Sequence, residues 1–259
     1  MGFESLSRSW SLDGPDPGPL LVSGAVGSGR RLRIVVEAPL VRAWRASPTP
    51  RARCPVARPA RRASVPRVRR VDLGPCAGLL HENDPARCVV LLPGMQYSTQ
   101  APLLWFAREV AAARGWSALE VLDSLPEGAE PFGWARDRAR RALEHVAAAD
   151  EVVVVGKSLA SAAAGLVADR VLPAVWLTPL LNEARVVDDL SRAARPALLV
   201  GGSADAAWVP DALADSGLLE VVSLDGLDHS LQRAGDPAAS LGALRLMAER
   251  LDRFLAELP

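Results

Sequence analysis

Lysine is almost missing from this chain. Of its 30 basic residues, 29 are arginine and only Lys157 is lysine, a bias that fits GC-rich coding sequence. Cysteine is as sparse: Cys54, Cys76 and Cys88 are the only three, and none has metal-ligand spacing. An odd, low count excludes a disulfide framework and fits a reducing compartment, so a cytoplasmic protein is expected. No apolar run approaches 18 residues and no charged-then-apolar leader opens the chain, so neither a membrane span nor export is predicted. Histidine is limited to His81, His145 and His229, which narrows the choice of any proton-transferring residue. Gly24, Gly27 and Gly29 form a glycine cluster that reads as loop, and no cofactor and no metal is expected.

The formal charge of zero conceals two unlike regions. Residues 30–70 hold thirteen arginines against one acid, Glu37, whereas from residue 71 onward there are sixteen basic and twenty-six acidic residues. We therefore divide the chain into an Arg/Pro-rich extension (1–67) and an acidic domain (68–259). Within the extension 32–36 reads as an edge strand, 68–73 as another at the boundary, and 45–67 as a flexible basic loop. A nucleic-acid role would want stacking aromatics among the arginines. Only Trp44 accompanies them, so a solvated or self-docking arm is the better reading and no nucleic-acid partner is expected.

From Cys88 on, strand and helix signals alternate. Strands are predicted at 88–92, 117–122, 152–155, 174–177, 196–200 and 218–224. Helices are predicted from about 101, over 131–148, near 183–194, in a short piece after Asp205, and over 238–258. Such alternation implies an α/β fold with a mostly parallel sheet and helices on both faces. Chemistry then gathers at the C-terminal ends of the strands. Only about twenty residues separate the strands at 174–177 and 196–200, which leaves room for little or no cap.

The richest local signal is the run from Val152 to Val155 feeding into Gly156-Lys157-Ser158-Leu159-Ala160. A wholly apolar β-branched run reads as a strand buried on both faces, and the small-residue stretch after Ser158 reads as a close-packed helix. A serine between the two sits on a sharp turn that lifts its hydroxyl from the sheet. A phosphate-binding P-loop is excluded, because Glu151 stands where its first glycine belongs and no flexible loop follows. A simple helix-capping serine remains the bland alternative.

A serine hydroxyl becomes a useful nucleophile when a histidine accepts its proton and a carboxylate orients that histidine. His229 follows a strand in the loop Asp225–Leu231, and Asp205 lies in the loop after the strand at 196–200. Asp188 and Asp189 fall in a helix, and Asp228 is adjacent to His229 and poorly placed to reach its ring. Ser158, Asp205 and His229 are therefore the expected catalytic set. An oxyanion site needs two convergent backbone N–H groups. Leu159, after the serine, and Met95, in the loop Pro93–Tyr97, are the expected donors. Gln96, Tyr97 (the only tyrosine) and Trp208 are the expected substrate contacts, with Trp208 alternatively bracing the acid loop.

With these residues placed, residues 68–259 resemble the α/β-hydrolase superfamily. Leu92-Pro93-Gly94 with Tyr97 and Pro102-Leu103-Leu104, Gly156-Lys157-Ser158-Leu159, Leu177-Thr178-Pro179-Leu180 and Asp228-His229-Ser230-Leu231 are similar to small, lidless bacterial hydrolases described as esterases or as dienelactone-hydrolase-like. Departures from the usual pattern are Ala160 for a glycine and Pro93-Gly94 for His-Gly. The resemblance implies a serine hydrolase acting on a small-molecule acyl ester or thioester, with no membrane partner. It implies nothing about oligomeric state. The competing reading is a non-hydrolytic protein on the same scaffold, because fold alone does not determine chemistry.

Overall fold

A computed structural model describes residues 67–258, apart from 123–124 and 215–216. The predicted strand at 32–36 and all but the last residue of the basic loop expected at 45–67 lie outside the described residues; Arg67 itself opens β1. The elements in chain order are β1 (Arg67–Asp72), β2 (Ala77–Glu82), β3 (Asp84–Leu92), α1 (Pro102–Ala113), β4 (Trp116–Leu122), α2 (Pro131–His145) and β5 (Glu151–Lys157). A 3-10 turn (Ser158–Ala163) then leads into α3 (Ala164–Asp169), followed by β6 (Ala174–Leu177), α4 (Ala184–Ser191), β7 (Ala197–Gly202), β8 (Leu219–Leu224) and α5 (Pro237–Glu257).

One sheet carries the strands in the order β1-β2-β4-β3-β5-β6-β7-β8. The β1–β2 and β2–β4 pairings are antiparallel, and every later pairing is parallel. The central strands are apolar on both sides because helices cover both faces. Val153, Val154 and Val155 are wholly buried, each stabilising the fold by about 1.5–3 kcal/mol on leaving water. One face of the sheet packs against α1 and α5 through Leu103, Leu104, Met247 and Leu251. The other packs against α2, α3 and α4 through Ala139, Leu143, Val167 and Leu190.

Helix starts follow local chemistry. Pro102, Pro131 and Pro237 open α1, α2 and α5, where a missing N–H costs nothing. Glu130 accepts from the N–H groups of Phe132 and Gly133, and Asp236 accepts from Ala239 N–H, capping α2 and α5.

Three elements differ from the sequence expectation. β2 was not anticipated, since Ala-Gly-Leu-Leu-His-Glu lacks clean alternation. It forms because both edges find partners, and a side chain at Gly78 would stand 2.9 Å from Val71 and 3.0 Å from the Glu120 carbonyl. The helix expected from Ser158 begins instead as a 3-10 turn. Ser161 Oγ donates to the Ser158 carbonyl at 2.7 Å, a three-residue closure that tightens this first stretch. The predicted helix at 131–148 stops at His145, where Val146 closes the last turn.

Connections place the loops of interest. β3 leads into α1 on one face, while its neighbour β5 leads into α3 on the other, so a crevice opens above their adjacent ends. Leu92 pairs with Gly156, which brings Pro93–Tyr97 beside Ser158. Between β6 and β7, residues 178–196 hold α4 alone, and no cap domain intervenes.

Candidate active site

Gly156 and Ala160 set the turn. A side chain at Gly156 would stand 2.6 Å from the Trp176 ring and 3.0 Å from Ala160 Cβ. Glycine is therefore required at 156, and the close approach leaves room for one methyl group at 160. That geometry explains how Ala160 fits where many elbows have glycine. Ser158 itself takes φ 54°, the left-handed region that non-glycine residues rarely adopt.

Five described non-glycine residues have such a φ: Gln96, Ser158, Val171, Thr178 and Leu231. Four of them follow β3, β5, β6 and β8 at the C-terminal end of the sheet, and only Val171 lies elsewhere. Backbone strain of this kind persists where surrounding structure imposes it, and it clusters at functional sites.

The hydroxyl of Ser158 lies 2.7 Å from His229 Nε2, and His229 Nδ1 lies 2.7 Å from Asp205 Oδ2. Because the carboxylate accepts, Nδ1 carries the ring proton and Nε2 is left to accept from the serine. Asp205 Oδ1 accepts from Ala207 N–H at 2.9 Å, so both carboxylate oxygens are engaged. Asp205 is buried, whereas the His229 side chain is 37% exposed.

Glycines draw the two loops together. A side chain at Gly202 would collide with the Leu227 carbonyl, to which Ala204 N–H donates at 3.0 Å. Asp228 does not approach the ring through its own carboxylate. Its Oδ1 accepts from Ser230 and Gln232 N–H instead, shaping the turn that presents His229.

The loop after β3 closes on itself: Gly94 N–H donates to the Tyr97 carbonyl and Tyr97 N–H to the Gly94 carbonyl. A side chain at Gly94 would lie 3.1 Å from the Lys157 carbonyl and 3.3 Å from Ser158 Cβ, so the loop rests directly on the serine turn. Of the expected donors, Met95 lies on this loop with its side chain exposed, and Leu159 follows Ser158 and is buried. Gln96 is exposed on the same loop.

Two expected substrate contacts have other duties. The Tyr97 hydroxyl accepts from Leu103 N–H at 3.0 Å, capping α1, and its ring lies under Lys157 Nζ at 4.8 Å. Trp208 is buried and stacks against the glycine at 201, where any side chain would overlap its ring. Its Nε1 donates to Ser223 Oγ at 2.9 Å, and its backbone N–H donates to the Asp205 carbonyl. Trp208 therefore braces the acid loop, because only the bare Gly201 lets so large a ring lie flat on β7.

Sequence reasoning overlooked three groups here. Ser161 Oγ also accepts from Leu180 N–H at 3.1 Å, tying the serine turn to the loop after β6. Thr178, next in register to Ser158, is wholly buried with an Oγ1 that has no partner among the described residues. Glu120 is fully buried on β4, held by Thr99, Gln100, Arg108 and His81 beside the 93–101 loop. A lone acid within the apolar run Leu119-Glu120-Val121 was the available signal.

Among the described residues, no group of three His, Cys, Asp or Glu side chains is arranged to hold a metal ion. Burial pushes the Cys88 thiol up to about 12, so it is not a competing nucleophile. No described helix is long and apolar enough to cross a membrane.

Solved structures agree with this architecture. The chain is similar to Est1E from Butyrivibrio proteoclasticus, solved with ferulic acid bound (TM-score 0.57, 14% identity, covering 73% of this chain and 98% of that one). It is also similar to a dienelactone hydrolase from Anabaena variabilis (TM-score 0.56, 19% identity, 72% and 97% covered). The chain has the α/β-hydrolase fold. Mouse alpha/beta hydrolase domain-containing protein 10 shares it as well (TM-score 0.56, 11% identity, 74% and 100% covered). No protein-family model matches the sequence, and no curated protein does. Within the α/β-hydrolase fold, Ser158, Asp205 and His229 follow β5, β7 and β8 in the order this scaffold uses for nucleophile, acid and histidine.

Proposed function

We propose that this protein is a serine hydrolase that cleaves a carboxylic ester or thioester of a small molecule through an acyl-enzyme. The observation that carries the reading is the unbroken hydrogen-bonded line from Ser158 Oγ through His229 to Asp205. Ser158 Oγ attacks the acyl carbon as His229 Nε2 takes its proton, and Asp205 stabilises the imidazolium that results. His229 then returns the proton to the leaving oxygen or sulfur, and water, activated by the same nitrogen, releases the acid and restores Ser158. The N–H groups of Met95 and Leu159 are the donors for the oxyanion, with Leu159 at the start of a helical turn where the peptide dipoles favour negative charge.

The part-exposed His229 and the short β6–β7 connection, which holds α4 alone, favour small or extended substrates over long buried chains. The test is labelling by a fluorophosphonate probe, read by intact mass on the full chain. A single adduct that is absent from Ser158→Ala supports an activated serine, and hydrolysis of p-nitrophenyl esters and acyl thioesters then separates the two substrate classes. A folded protein that takes no label is a non-hydrolytic member of the scaffold.

A further inference from the structure

The only lysine of the chain lies one residue before the nucleophile, and it is not on the surface. Lys157 is 3% exposed, at the end of β5, with Leu177 of β6 paired beside it. No carboxylate lies within ion-pair distance among the described residues. Its partner is an aromatic face instead: Nζ stands 4.8 Å from the centre of the Tyr97 ring. Its stem fills the space under the neighbouring loop, since a side chain at Gly94 would lie 3.1 Å from Lys157 Cδ. Tyr97 in turn closes the Gly94–Tyr97 turn through two backbone bonds and anchors α1 through Leu103. A buried ammonium is costly, and a hydrophobic residue of similar shape would pack there at lower cost. Such a charge needs a reason.

We propose that Lys157 is a positioning residue for the acyl-transfer site, whose buried ammonium clamps the 93–97 loop to the serine turn through the Tyr97 face and adds positive charge beside the oxyanion donors. This inference rests on the hydrolase reading of Ser158. Tyr97 binds the cation and keeps Gly94 seated against Ser158, so Met95 N–H has a fixed height above the nucleophile. Positive charge close to a developing oxyanion acts over short distance in a site partly shielded from water.

The groups facing the ammonium set its pH range. Burial lowers the Lys157 pKa to about 8, while Asp205 after β7 and Asp228 after β8 act in the opposite direction. Burial raises the Tyr97 phenol, so it stays neutral over the same range. His229 lies beside the same Asp205, at 2.7 Å. The clamp is therefore charged at neutral pH and released as the solution becomes alkaline.

The experiment compares the second-order rate of fluorophosphonate labelling at Ser158 in the full chain, from about pH 6 to 10, for the wild type, Lys157→Met and Tyr97→Leu. Wild-type labelling should fall above about pH 8, as Lys157 loses its charge. Lys157→Met should label roughly 10-fold more slowly at neutral pH, lack the alkaline fall, and melt no lower than wild type. A residue that merely packs would lose stability and leave the pH profile unchanged. Equal rates and equal profiles in wild type and Lys157→Met would overturn the proposal.

The second readout does not depend on a reactive serine. With one lysine, 13Cε-lysine labelling gives a single side-chain signal whose titration belongs to Lys157 alone. A depressed midpoint that falls further in Tyr97→Leu is the expected result. A midpoint at the ordinary lysine value, or one that Tyr97→Leu leaves unmoved, would overturn the clamp. If the wild type takes no label at all while the lysine titrates as expected, the hydrolase reading fails and the clamp on the loop stands.

Discussion

Among the described residues two histidines lie against carboxylates, and only one of them also reaches a serine. His229 lies 2.7 Å from Asp205, and His81 lies 2.9 Å from Glu120. The pairs look alike in distance but differ in what surrounds them. Asp205 gives one oxygen to His229 and the other to a backbone N–H, while the far nitrogen of His229 meets Ser158. Glu120 is saturated by Thr99, Gln100 and Arg108 as well as His81, and its histidine is largely covered. The first pair continues to a serine hydroxyl, and the second ends among the side chains that hold Glu120. A buried carboxylate beside a histidine is thus a structural motif in general, and the serine on the far nitrogen sets the first pair apart.

The sharpest way to break this comparison is to remove one member from each pair. Ser158→Ala should abolish fluorophosphonate labelling, and Asp205→Asn should slow it by roughly three to four orders of magnitude, because triad members act as a unit. His81→Gln should change the labelling rate by less than about threefold if the second pair is only structural. A loss at His81 as large as that at Asp205 would erase the distinction drawn above.

Stability should respond in the opposite order. Glu120→Ala leaves the Arg108 guanidinium facing a buried gap, a loss of about 3–5 kcal/mol in urea unfolding. The same carboxylate gives an acid signature. Burial pushes its pKa up, but His81, Arg108 and Thr99 outweigh burial and hold it at about 2, against an ordinary 4.5. A lowered folded value means the stabilisation is complete above the ordinary value and is lost as pH falls from about 4.5 to 2. Unfolding measured across that window should show up to ~3 kcal/mol of pH dependence that Glu120→Gln lacks.

Smaller changes refine the picture of the acid loop. Gly201→Ala drives a methyl group into the Trp208 ring, which should cost about 1–3 kcal/mol and slow labelling as Asp205 shifts. Trp208→Phe keeps the ring on Gly201 but loses the bond to Ser223, a cost of about 1 kcal/mol with labelling retained. If Trp208→Phe instead changed ester preference with stability intact, the ring would have to reach substrate after all.

Much of the fold was legible because its signals are local. The β-branched run into Gly156 announced β5 and the serine turn, and apolar strands followed by polar loops pointed to Asp205 and His229. β2 was not legible, since its residues form a strand only when β1 and β4 lie on either side. The 3-10 start after Ser158 depends on one hydroxyl, Ser161, bonding three residues back. The duties of Tyr97 and Trp208 were hidden for a related reason: an aromatic's role depends on which glycine or cation the fold brings beneath it, and Gly201 and Lys157 reach those positions only through sheet register. Glu120 stood in plain sight as a charge within an apolar strand, but its four partners come from three separate segments.

Among the described residues β1 forms one border of the sheet, with Arg67, Arg69 and Arg70 exposed along it. Arg69 is tied to Glu82 of β2 at 2.6 Å, so the charge on this edge is anchored as well as exposed. Charged side chains along a strand edge disfavour its pairing with the edge of another sheet. Replacing those arginines with apolar residues would remove that obstacle to fibre-like stacking.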